Sequence, residues 1–213
     1  MMAMRQGSPE NPLRTAVLIS GSGSGMEALI LHQKNPNCTH RTELVISNIA
    51  GVAGLEKAER HNVKSMAIEL NTSITDKKSR RETHEKAIMK ALSIHGIELV
   101  ILSGYMRILS PQFVRKWRGR LLNIHPSLLP KYPGAHAHRD ALADGAKITG
   151  CTVHFVDEGM DTGQIIAQSQ LEIKPDDDEK SLSERVKILE HELYPSVIDD
   201  VATGKISASQ IGN

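Results

Sequence analysis

In "RTAVLISGSGSGMEALILHQK", Arg14 to Lys34, a continuous apolar run gives way to five residues of alternating glycine and serine, then to an amphipathic run. The first part reads as a strand buried on both faces, the last as a helix, and the glycines as the turn between them. The same alternation recurs downstream. "TELVIS" precedes "VAGLEKAERH", "KSMAIEL" precedes "SRRETHEKAIMKALSIHG", and "ELVILSG" precedes "PQFVRKW". Repeated strand–helix units of this kind predict an α/β fold: a doubly wound, mostly parallel sheet with helices on both faces. Ligands in such folds bind at the carboxyl ends of the strands. Further on come a strand "LLNIH", a Pro-rich loop from Pro126 to Pro133 and a short helix near Arg139 to Asp144. Two strand-like runs joined by "DEGMDT" follow, and then a long helix whose Ser181 and Glu184 fit a capping-box pattern.

The chain has 213 residues and 39% hydrophobic content, enough for one core. Its 26 Lys and Arg against 25 Asp and Glu give no electrostatic footprint for nucleic acid or a membrane surface, so the expected partners are small molecules. Cys38 and Cys151 are far apart and form no CxxC pair, which argues against a disulfide framework or a thiolate metal site and suits the cytoplasm. No signal peptide and no membrane-spanning run is expected. Residues 1–13 read as a disordered tail, 14–206 as the domain and 207–213 as a C-terminal tail.

Three features converge on one edge of the expected sheet. Gly21 to Gly25 lie between strand and helix, where backbone N–H groups and a helix N-terminus can cradle an anion. A nicotinamide site is disfavoured, because Met26 stands where the dinucleotide fingerprint needs glycine and Asn48 where it needs an acid. Arg107 follows the fourth strand, placed to meet an anionic ligand or an acidic neighbour. In "LLNIHP", Asn123 and His125 share one face and Pro126 ends the ladder directly after the imidazole. A lone strand histidine is commonly a satisfied core residue; the amide partner and the edge position favour chemistry instead. His136, His138 and His154 match no known metal-ligand spacing, so no metal is expected, and Cys151 reads as a small core residue. A phosphate cradle, an oxyanion-stabilising amide and an imidazole suit acyl transfer to an amine, which needs no covalent nucleophile. Asp161, in the loop between two strands, is the candidate carboxylate to favour a protonated imidazole, or a turn residue.

The segments "VLISGSGSGMEALI", "SGYMRILSPQFV", "LLNIHPSLLPKYPGAHAHRDAL", "GCTVHFVDEGMDTGQII" and "SERVKILEHELYP" together resemble the phosphoribosylglycinamide formyltransferases of the formyltransferase superfamily, from about Arg14 to about Ile206. The resemblance implies formyl transfer from 10-formyltetrahydrofolate to glycinamide ribonucleotide in purine synthesis. It implies that Asn123 holds the formyl oxygen, His125 acts as general acid and Asp161 tunes His125. Gly23, Ser24 and Gly25 would hold the substrate phosphate, with Lys187, Ile188, Leu189 and Glu190 reaching the same substrate. Arg81, Met106, Arg107, Ile108, Leu109, Asn123, Asp157, Glu158, Gly159, Met160 and Asp161 would contact the folate. Gly25 stands where the family commonly has Asn, and Tyr105 where Phe is common. Rival expectations are formyltetrahydrofolate hydrolase, whose motif tends to have His where this chain has Pro126, methionyl-tRNA formyltransferase, and a non-catalytic nucleotide-binding module.

Overall fold

The computed structural model describes residues 4–208. In chain order the elements are β1 (Leu13–Ile19), α1 (Ser24–His32), β2 (His40–Ser47), α2 (Ala53–Arg60), β3 (Lys64–Ala67), α3 (Lys77–Ile94) and β4 (Leu99–Leu102). They continue with α4 (Pro111–Lys116), β5 (Leu121–His125), α5 (Ala137–Ala143), β6 (Ile148–Phe155), β7 (Ile165–Glu172) and α6 (Glu179–Ala202). One seven-stranded sheet runs β3-β2-β1-β4-β5-β6-β7. The first five strands in sequence are parallel, while β6 and β7 pair antiparallel.

The period of two along each strand divides the core into two layers. Val17 and Ile19 of β1 join Met26, Leu29, Leu182, Val186 and Ile198 on one face, under α1, α2 and α6. Ala16 and Leu18 join Ile88, Leu92, Phe113 and Trp117 on the other, under α3 and α4. Covering both faces explains why β1 and β4 read as unbroken apolar runs.

Strand order places the site. From β1 the chain moves outward through β2 to β3, then crosses back so that β4 lies beside β1 and β5 follows on the other side. The reversal opens a crevice beyond the carboxyl ends of β1 and β4. The glycine–serine turn leaves β1 there, and the segment containing Arg107 leaves β4 beside it.

Two expectations are corrected. The capping box of α6 lies one turn earlier than Ser181 and Glu184: the Asp178 carboxylate accepts the Ser181 N–H at 2.7 Å and Ser181 Oγ accepts the Asp178 N–H at 2.9 Å. Ser181 is therefore the N3 member of the box rather than its cap. Residues 4–12, read as part of a disordered tail, carry no regular element but are packed. Arg5 pairs with Glu98 at 2.6 Å, the Gly7 N–H reaches the Ala202 carbonyl at 2.8 Å, and Met4 packs on the core. Residues 1–3 and 209–213, read as tail, lie outside the described residues.

Candidate active site

Gly23 caps α1 with φ of 64°, a left-handed conformation that glycine adopts without strain. A Cβ on it would stand 2.7 Å from the Gly54 Cα, so the close approach of two backbones also excludes a side chain. No side chain caps α1, and the N-terminal N–H groups of that helix face the crevice as an anion cradle. At Gly25 an added Cβ would lie 2.6 Å from Ser103 Oγ. The hydroxyl of Ser103, from the end of β4, thus stands where a longer residue at position 25 would project.

Asn123 and His125 lie on the same face of β5, opposite Leu122 and Ile124. The antiparallel register sets His154 of β6 beside Asn123. His154 donates from Nδ1 to the Phe155 carbonyl at 3.0 Å, leaving Nε2 to accept from Asn123 Nδ2 at 3.1 Å. Burial keeps His154 neutral by pushing its pKa down, against the attraction of Asp161. Its neutral form orients the Asn123 amide.

His125 is 4% exposed. Its Nε2 donates to the Tyr132 carbonyl at 2.9 Å, so Nδ1 is the ring nitrogen facing Asp161, whose Oδ2 is 3.4 Å away. The same carboxylate oxygen accepts the Gly134 N–H at 2.8 Å, which ties the loop of Asp161 to the loop after β5.

These groups open onto one cavity of about 650 Å³. Gly23, Ser24 and Gly25 line it, as do Lys187 and Glu190 of α6. Asn123, His125 and Asp161 stand in the same cavity, as do Met106 to Leu109 and Asp157 to Met160. Met106, Ile108 and Met160 are 66, 65 and 56% exposed, three large apolar residues of the cavity lining that solvent reaches. An Asx-type turn holds the second loop, with the Asp157 carboxylate accepting the Gly159 N–H at 3.0 Å and the Thr162 hydroxyl at 2.8 Å. Glu158 pairs with Arg115 at 3.2 Å.

Three expected residues lie off the cavity. Arg81 sits on α3 with its Nε buried and without a hydrogen-bond partner. Ile188 points to solvent and Leu189 packs against the core, because only Ser183, Lys187, Glu190 and Tyr194 share the helical stripe that faces inward. Residues not predicted for the site are also present: His138 from α5, His154, Ser183 and Tyr194, the last anchored by its hydroxyl to the Leu102 carbonyl at 3.0 Å. Burial pushes the Glu190 carboxyl up to about 7, a rise that Lys187 opposes. Burial also lowers the pKa of His138, so both imidazoles added to the site favour the neutral ring.

The family model described as formyl transferase matches residues 13–198. The chain is 47% identical over 199 residues to the trifunctional purine biosynthetic protein adenosine-3 of Homo sapiens, a match covering 93% of this chain and 19% of that protein. It thus spans about a fifth of the length of that relative. It is 40% identical over 194 residues to the phosphoribosylglycinamide formyltransferase of Escherichia coli K12, covering 91% of this chain and 89% of the other. Among solved structures, the phosphoribosylglycinamide formyltransferase of Brucella melitensis superposes with a TM-score of 0.83 at 40% identity, covering 92% of this chain and 98% of that one. With the sheet order, the cavity at the strand ends and these matches in agreement, the chain belongs to the formyl transferase family.

Proposed function

We propose that the chain is a phosphoribosylglycinamide formyltransferase, moving the formyl group of 10-formyltetrahydrofolate to the amine of glycinamide ribonucleotide in purine synthesis. The observation that carries this reading is the meeting, in one cavity, of a helix N-terminus fitted to phosphate with an amide, an imidazole and a carboxylate fitted to acyl transfer. The proposed place of this work is the cytoplasm. Among the described residues no helix is long and apolar enough to cross a membrane.

The phosphate binds the N–H groups from Gly23 to Gly25, and the Ser103 hydroxyl adds a donor where Gly25 has none. Lys187 and Glu190 take the ribose side of the nucleotide. Pterin groups hydrogen-bond the backbone of the Met106–Leu109 and Asp157–Asp161 segments, while Met106, Ile108 and Met160 cover apolar parts of the folate. The substrate amine then attacks the formyl carbon. As the new C–N bond forms, negative charge develops on the formyl oxygen, and the free N–H of the Asn123 amide stabilises it. His125 delivers a proton from Nδ1 to N10 of the folate as the old C–N bond breaks, and takes one from the substrate nitrogen, which becomes cationic once the new C–N bond has formed. The Asp161 carboxylate stands 3.4 Å from that nitrogen and steadies the ring. The products are the formamide and tetrahydrofolate.

The reading is tested by mixing the protein with both substrates. Formyl-folate should be consumed only when glycinamide ribonucleotide is present; equal consumption without it would identify a hydrolase.

The Asp161→Asn variant separates the electrostatic role of that residue from a structural one. The Asn variant keeps an acceptor oxygen for the Gly134 N–H but loses the charge beside Nδ1. Turnover should fall while binding of both substrates stays near that of the parent, because the loop stays tied and only the charge beside the ring nitrogen is lost. Folate binding lost together with turnover would assign Asp161 to holding the loop alone.

Glu190 gives a second pH dependence. Ionised, it accepts hydrogen bonds from ribose hydroxyls with both oxygens; protonated, it loses part of that capacity. Ribonucleotide affinity should therefore rise as pH passes about 7 and level off above it, and Glu190→Gln should flatten this rise. The sign for folding is opposite. A carboxyl whose folded pKa stands above its unfolded value of 4.5 costs stability as pH rises from there to about 7. Glu190→Gln should accordingly stabilise the ligand-free protein at pH 8, by about 1–3 kcal/mol. Equal unfolding midpoints for the two proteins at pH 8 would contradict the buried acid.

A further inference from the structure

Four side chains with no part in formyl transfer meet away from the cavity. His32 ends α1, Cys38 stands in the loop after it, His40 opens β2, and Asp199 comes from the last turns of α6. Their ligand atoms all lie within 4.8 Å of one another. Asp199 is the hub: its Oδ2 is 2.6 Å from His32 Nε2, and its Oδ1 is 3.2 Å from His40 Nε2 and 3.5 Å from Cys38 Sγ. The two imidazoles stack, with 13° between their planes. A histidine–carboxylate brace accounts for the contact of His32 with Asp199. His40, 1% exposed, also faces that carboxylate, but its Nε2 meets Oδ1 at 3.2 Å outside hydrogen-bond geometry and so has no well-formed partner. A buried polar atom left in this way is costly unless something completes it.

We infer that His32, Cys38, His40 and Asp199 form a binding site for one tetrahedral divalent cation of the zinc class. Two nitrogens, a sulfur and a carboxylate oxygen make a borderline-soft donor set, suited to zinc and poorly suited to magnesium or calcium. With zinc bonds of about 2.0–2.3 Å, tetrahedral ligand atoms stand about 3.3–3.8 Å apart. The 3.2 Å and 3.5 Å separations around Asp199 Oδ1 are close to that figure; the His32 contact widens, and the longest separations close by about 1 Å. Burial holds the Cys38 thiol neutral, its pKa pushed up to about 11. On coordination the metal–sulfur bond forms and the thiol proton leaves to solvent. The sequence reading set aside a thiolate site because no CxxC pair is present; here the fourth ligand comes from the far end of the chain. A cation there ties α6, the helix that carries Lys187 and Glu190 to the cavity, to α1 and β2.

Gln33 provides an internal check. Its Oε1 accepts the Thr42 N–H at 2.9 Å, so its Nε2 faces His40 Nδ1, also at 2.9 Å, and the His40 proton sits on Nε2. For Nε2 to bind a metal that proton must move to Nδ1 and the Gln33 amide must turn to accept it, at the expense of its bond to Thr42. A carboxylate at position 33 would accept from both groups at once and so suit the metal-bound form.

The test titrates the chelator-treated full chain with Co²⁺, then displaces it with Zn²⁺. One Co²⁺ per chain should bind, giving strong visible d–d bands and a near-ultraviolet thiolate charge-transfer band, both removed by Zn²⁺. Cys38→Ser should abolish the charge-transfer band and weaken binding by about 100-fold or more, since even outer-shell changes cost about 10- to 100-fold. Cys151→Ala should leave the band unchanged. Gln33→Glu should tighten binding by about 10-fold or more. No saturable band in the parent, a band that persists in Cys38→Ser, or weaker binding by Gln33→Glu would each overturn the site.

Discussion

His125→Ala should lower turnover by about 10²- to 10⁴-fold, the contribution of a positioned acid–base group, while leaving ribonucleotide binding close to that of the parent. The argument for the size is geometric. One ring nitrogen is committed to the Tyr132 carbonyl and the other faces Asp161 inside the cavity, so the ring is fixed with a single nitrogen available for proton transfer. Binding stays unchanged because the anion cradle is built from the turn after β1, two strands away in the sheet from the strand that carries His125. Removing the imidazole leaves that cradle and Lys187 in place. Turnover and binding measured separately decide the point. A variant that turns over normally would remove His125 from the mechanism, and one that loses turnover only through lost ribonucleotide binding would make it a binding residue.

Gly23→Val should weaken ribonucleotide binding by about 10- to 100-fold, because a β-branched residue held at positive φ stores on the order of 1–3 kcal/mol of strain. The site relieves that strain by changing the turn that presents the N–H groups. Space is a second obstacle: the new Cβ would meet the backbone of Gly54, which has no side chain to swing aside. Gly23→Ala gives a graded control, with the same φ conflict and less bulk. Binding of the ribonucleotide to both folded variants as tight as to the parent would place the phosphate elsewhere. The unphosphorylated riboside should distinguish the variants from the parent hardly at all, since it does not use the cradle.

The features legible in the sequence were those that act locally. Period and glycine placement marked the strand–helix units, and three of those units end in a residue with chemical capacity: the turn after β1, Arg107 after β4, and His125 at the end of β5. Their convergence followed from the parallel-sheet rule alone. The antiparallel run of β6 and β7 was less legible, since strand direction depends on the connections and no helix separates these two. The role of His154 is not legible, for its link to Asn123 arises from cross-strand register rather than sequence spacing. A polar Thr152 and His154 at period two in an otherwise apolar strand was the available signal. On α6 the family resemblance marks the run Lys187 to Glu190 as one block, but the helical period turns Ile188 and Leu189 away from the side that bears Lys187 and Glu190. The capping of α6 is ambiguous in sequence because Ser181 can serve as cap or as N3, and Asp178 decides for N3.

In the proposed reaction a formyl group passes directly from the folate to the ribonucleotide amine within this cavity. The most direct measurement follows the carbon itself, using 10-formyltetrahydrofolate labelled with ¹³C in the formyl group, mixed with the protein and unlabelled glycinamide ribonucleotide and observed by NMR. The account predicts that the label appears as a formamide on the glycine nitrogen, in step with release of tetrahydrofolate and lost with His125→Ala. Label released as free formate, or left on the folate while the ribonucleotide is present in excess, would contradict it.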